Sequence, residues 1–92
     1  MSDELTARRY LIHGRVQGVG YRYFAQKVAA AQNVSGYARN LEDGSVEVYA
    51  VGSAAQLSEF AGFLRTGPAF SDVRSVDVQE AAVENHRGFR IR

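Results

Sequence analysis

Arg22 and Asn40 are the two side chains whose types and settings point most directly to chemistry. Arg22 follows the run Gly14-Arg15-Val16-Gln17-Gly18-Val19-Gly20-Tyr21, which holds three glycines and leads straight into a helical pattern. Main-chain amides at the start of a helix lack partners and sit at the positive end of the helix dipole, so an anion is stabilised there. Glycines let successive amides turn inward as a nest, with no Cβ in the way of a phosphate. Gly18 and Gly20 are placed for that, and Val16, Gln17 and Val19 contribute amides before and between them. A guanidinium on the first helical turn adds a planar fork that matches two phosphate oxygens. Asn40 can accept a hydrogen bond from water through its side-chain oxygen while its amide donates elsewhere, but it cannot act as a general base. The same glycines also serve a plain strand-to-helix turn, so spacing alone leaves a turn and an anion site both open. Other phosphate motifs fit poorly. No lysine follows Gly18 or Gly20 as a Walker loop requires, and Tyr23 stands where a dinucleotide fingerprint needs its third glycine.

These residues need elements to hold them. Arg9 to His13 reads as a short strand. Tyr21, Phe24, Ala25, Val28 and Ala29 recur at helical spacing and predict an amphipathic helix ending near Asn33. Gly36 to Asn40 forms a second strand, Leu41-Glu42-Asp43-Gly44 a turn, and Ser45 to Val51 an alternating third strand. Ser53 with Gln56 makes a capping box ahead of Leu57, Phe60, Ala61 and Leu64, and Gly67-Pro68 closes that second helix. Val76 with Val78, and Phe89 with Ile91, predict two further strands. The order is the split βαβ plan of a ferredoxin-like α+β sandwich, an antiparallel sheet with two helices on one face. Its first crossover joins parallel strands. The glycine loop and Asn40 therefore leave the sheet at the same edge.

Composition removes whole classes of function. Ninety-two residues and 10.1 kDa predict a single domain spanning 1–92, with 1–7 as a loose N-terminal tail. With 46% hydrophobic and 23% charged residues the chain is globular rather than disordered. Cysteine is absent, which removes disulfides, thiolate nucleophiles and Cys-based metal centres, and two histidines are too few for a metal site. No metal and no cofactor are expected. A net charge of +1 supplies no bulk field for nucleic acid, although the basic side chains are nearly all arginine and Lys27 is the only lysine. No apolar run reaches membrane-spanning length, and the acidic, polar start is unlike a signal peptide, so no membrane partner and a cytoplasmic location are expected. Among the remaining polar residues, His13 reads as a strand-end residue and His86 as part of a solvated loop. Alternation turns Arg39 to the face opposite Asn40. Gln17 is supportive rather than catalytic, and Glu42 and Asp43 are turn residues.

The run from Gly14 to Arg22 resembles the signature loop of the acylphosphatase family. A second signature is similar as well: Gly36-Tyr37-Ala38-Arg39-Asn40 followed by Asp43-Gly44-Ser45-Val46-Glu47. The likeness continues through Gly52, Gly67-Pro68 and Gly88-Phe89-Arg90-Ile91-Arg92, nearly the whole chain after Arg8. The resemblance implies metal-independent hydrolysis of small acyl phosphates without a covalent enzyme intermediate. It implies that Arg22 binds the phosphate, that Asn40 positions the attacking water, and that Arg15, Val16, Gln17, Gly18, Val19, Gly20 and Tyr21 form the cradle. Inorganic phosphate would be product and inhibitor, and the protein a monomer. Tyr21 stands where the family more often has phenylalanine, and Gly20 occupies a slot that varies. Two other classes remain for comparison. One is a non-catalytic ferredoxin-like module that binds an oxyanion or a partner. The other is an RNA-binding sheet, which lacks its Lys/Arg-Gly-aromatic run on the third strand.

Overall fold

The computed structural model describes residues 4–92. Its elements run β1 (Thr6–Arg15), α1 (Tyr21–Gln32), β2 (Ser35–Asn40), β3 (Val46–Gly52), α2 (Ala54–Thr66), β4 (Asp72–Ala81) and β5 (Phe89–Ile91). The five strands form one sheet in the order β4-β1-β3-β2-β5. β3 lies between β1 and β2 and is antiparallel to both, pairing Tyr10 with Val48 on one side and Ala38 with Val48 on the other. β1 and β2 consequently point the same way, and the loop after one and the turn after the other share an edge.

Local chemistry explains where the helices begin and end. Asn33 adopts the left-handed conformation (φ 57°, ψ 41°) that stops α1, as its short polar side chain tolerates. Ser53 Oγ accepts from the Gln56 amide at 3.1 Å while Gln56 Oε1 accepts from the Ser53 amide at 2.8 Å, so the capping box at α2 is complete in both directions. One face of the sheet is covered by both helices. Tyr10, Ile12, Val46, Val48 and Ala50 there meet Ala25 and Ala29 of α1 and Leu57, Phe60 and Leu64 of α2, all at 0% exposure. Burial of each larger side chain is worth about 1.5–3 kcal/mol, which makes this layer the main clamp on the helices.

Three features depart from the expectations above. The strand β1 starts at Thr6 rather than Arg9, because Thr6 pairs with Gly52 and Ala7 with Val51, and Ala7 is buried. Residues 6 and 7 therefore do not belong to a loose tail, and positions 1–3 of that expected tail lie outside the described residues. The sheet is mixed rather than wholly antiparallel. After β4 at one edge, the chain returns across the back of the sheet and enters β5 alongside β2 in the same direction, pairing Ala38 with Ile91.

The back of the sheet is also covered. Tyr37 and Tyr49 stack with ring centroids 5.5 Å apart, and His86 packs 5.2 Å from Tyr49. The Tyr49 hydroxyl donates to the Ala82 oxygen at 2.6 Å and accepts from the Glu84 amide at 2.9 Å. His86 is thus packed on aromatic rings instead of lying in a solvated loop. Arg39 is on this face, as alternation requires, and with Arg9 it flanks the largely buried Glu47 carboxylate.

Candidate active site

The segment between β1 and α1 makes a tight turn with Gly18 at φ 74° and Gly20 at φ 78°. Both glycines occupy the left-handed region that most side chains avoid, and a Cβ on either would meet open space. Backbone conformation, not crowding, demands glycine here. Among the described residues, no main-chain amide from Gln17 to Tyr23 donates to a main-chain oxygen; the first that does is Phe24, to Gly20 at 3.0 Å. No side chain caps the helix at Gly20 either. The loop and the first helical turn thus carry main-chain amides without main-chain acceptors, at the positive end of α1.

These donors border a pocket of about 170 Å³ lined by Val16, Gly18, Gly20, Tyr21, Arg22, Tyr23, Asn40 and Ile91. Arg22 comes from the first turn of α1 and Asn40 from the end of β2, and the shared edge of β1 and β2 brings them to one concavity. Arg22 does not swing freely. Its Nη1 donates to the main-chain oxygen of Arg92 at 2.7 Å, which leaves further guanidinium donors to address the pocket. Asn40, at the exposed end of its strand, also borders the pocket.

Three of the expected cradle residues do not line the pocket. Arg15 lies exposed at the end of β1, opposite Asp72. Val19 is half-buried and packs on the core. Gln17 spends its side chain on the neighbouring turn, where its Nε2 donates to the Leu41 oxygen at 2.7 Å and the Ser45 oxygen at 2.9 Å. That bracing role ties the glycine loop to the turn between β2 and β3. Tyr21 borders the pocket at the helix start while its ring enters the core. Its hydroxyl donates to the Leu64 oxygen at 2.6 Å, and burial pushes the phenol pKa well above its ordinary value.

Tyr23 and Ile91 line the pocket and Arg92 accepts from Arg22, three contributions that the reading of the sequence passed over. Tyr23 and Ile91 are exposed apolar surface at the rim, at 63% and 41%. A three-residue strand carries too little periodicity to reveal Ile91 or Arg92, and only the family likeness of the run Gly88–Arg92 hinted at them. His13 is not at the pocket; it pairs with Asp77 of β4 at 3.1 Å. Among the described residues, no three His, Asp or Glu side chains gather where they could hold a metal ion, and no helix is long and apolar enough to cross a membrane.

A concave, polar-rimmed pocket with free amides, a guanidinium and a carboxamide can grip a tetrahedral oxyanion and hold a water beside it. The acylphosphatase family model matches residues 8–91. An acylphosphatase of Solibacter usitatus (strain Ellin6076) is 59% identical over 86 residues, covering 94% of this chain and 90% of that protein. The structure of an acylphosphatase from Bacillus subtilis superposes with a TM-score of 0.91 at 38% identity, covering 96% of this chain and 98% of that one. An acylphosphatase from Coxiella burnetii gives the same TM-score at 32% identity, over 96% and 93% of the two chains. The chain belongs to the acylphosphatase family.

Proposed function

We propose that the protein hydrolyses the carboxyl–phosphate bond of small acyl phosphates, with the phosphoryl group held by loop amides and Arg22 and the attacking water positioned by Asn40. The observation that carries this reading is that Arg22, Asn40 and the donors around Gly18 and Gly20 border a single pocket. Carboxylate is a good leaving group, so neither a strong nucleophile nor a general acid is required. The enzyme has to hold a dianionic phosphoryl group, spread its charge in the transition state and align one water in line with the breaking bond. Amides and guanidinium serve the first two needs, and a preorganised donor of this kind is worth about 2.7–4 kcal/mol. The side-chain oxygen of Asn40 serves the third by accepting a hydrogen bond from the water. Water oxygen bonds to phosphorus, the phosphorus–carboxylate oxygen bond breaks, and the water's proton passes to a phosphoryl oxygen or to solvent. The products are a carboxylate and inorganic phosphate. Because guanidinium and amides supply the positive field, turnover needs no metal, and the released phosphate competes for the same donors. On this reading the protein works as a monomer in the cytoplasm.

The test is hydrolysis of benzoyl phosphate in the presence of EDTA, with inorganic phosphate as competitor. The expected result is metal-independent turnover that phosphate inhibits competitively. Phosphate binding without turnover would instead identify an oxyanion-binding module.

A further inference from the structure

Arg92 reaches both faces of the sheet. Its main-chain oxygen accepts from Arg22 at 2.7 Å on the side of the pocket. Its own amide donates to the Ala38 oxygen at 2.9 Å, which locks it beside β2. Its guanidinium lies 3.9 Å from the centre of the Tyr37 ring, on the face away from the helices. Tyr37 in turn is 7% exposed and wedged against Tyr49 and His86, so its ring offers a fixed platform.

We infer that Tyr37 is a positioning residue for the reaction, acting through the stacked Arg92 guanidinium to fix the main-chain oxygen that orients Arg22. This rests on the reading of Arg22 as the phosphate-binding cation. Arg22 stands half-buried at the start of α1, and its long side chain has rotamer freedom to lose. One hydrogen bond to a fixed oxygen removes part of that freedom before substrate arrives, which is how preorganisation raises the rate. The oxygen is held only as firmly as Arg92, at the end of an edge strand. A cation over an aromatic face supplies that hold without touching the pocket.

The experiment is a double-substitution cycle read as kcat/KM for benzoyl phosphate, with thermal melting recorded for each variant. Arg92→Leu removes an exposed side chain and leaves the main-chain oxygen, so it tests the proposal without disturbing the core. Arg92→Leu and Tyr37→Leu should each lower kcat/KM by about two- to fivefold, the size of an exposed cation–π contact. Tyr37→Phe, which keeps the ring, should match the parent protein. In an Arg22→Gln background neither leucine substitution should lower kcat/KM further, because the residue they act through is gone. Full activity in Arg92→Leu, or equal losses with and without Arg22, would overturn the inference. Near-normal kcat/KM in Arg22→Gln alone would instead overturn the functional reading beneath it.

Discussion

The Gln17 side-chain amide donates to the main-chain oxygen of Leu41 at 2.7 Å and so joins the loop that follows β1 to the turn that follows β2. The two halves of the site are carried by those two segments, with Gly18, Gly20 and Arg22 on one side and Asn40 on the other. A second bond from the same nitrogen to the Ser45 oxygen makes the joint two-pronged. Gln17→Ala removes both donors while leaving the main-chain amide of residue 17 in place. We expect a stability loss of about 1 kcal/mol and a lower kcat for acyl phosphate hydrolysis. Urea unfolding and steady-state kinetics check the two effects, and an unaltered kcat would show that the bracing does not reach the chemistry.

Tyr21 anchors the start of α1 to the end of α2 through its hydroxyl and the Leu64 oxygen. That carbonyl lies in the last turn of α2, where intrahelical partners run out. Tyr21→Phe leaves it without this donor inside the protein. A loss of about 1 kcal/mol is expected, visible as a lower Tm. An unchanged Tm would show that the hydroxyl's bond contributes nothing net.

Much of the fold follows from periodicity and caps alone. Val46, Val48 and Ala50 alternate with Glu47, Tyr49 and Val51, and the structure sends the first set to the helices and the second to the back. Ser53 and Gln56 mark the start of α2 and Asn33 the end of α1, because capping is a local matter of short polar side chains. The common edge of β1 and β2 follows from a βαβ connection, and with it the nearness of Arg22 and Asn40. What stays hidden is tertiary. Tyr37, Tyr49 and Val51 lie on the face away from the helices, where they are buried beneath a return segment around Ala82, Glu84 and His86 that is polar and without period. Thr6 and Ala7 join β1 only because Gly52 and Val51 are there to pair with them. Arg92 enters the site through its main-chain oxygen, which no side-chain pattern encodes.

Asp43 gives the fold a dependence on acid. Its carboxylate accepts from the Ser45 hydroxyl and from the Ser45 amide at 2.9 Å, and these bonds hold its pKa below the ordinary 3.8. The folded state therefore favours the charged form. Its contribution is complete above the unfolded pKa and is lost as pH falls from there through the lower folded value. The Tm difference between the parent protein and Asp43→Ala should be largest at neutral pH and shrink as pH falls below the ordinary carboxylate value of about 3.9. Thermal melts across pH 2–7 check this, and a difference that stays constant with pH would rule out the titration of Asp43 as its origin.

Binding and turnover assign separate duties to the two principal side chains. Calorimetric titration of inorganic phosphate into the parent protein, Arg22→Gln and Asn40→Ala separates those duties without chemistry intervening. We predict that Arg22→Gln weakens phosphate binding by about 100-fold or more, the cost of losing a preorganised charged donor. Asn40→Ala should bind phosphate nearly as the parent does while losing turnover. Undiminished phosphate affinity in folded Arg22→Gln would contradict the account.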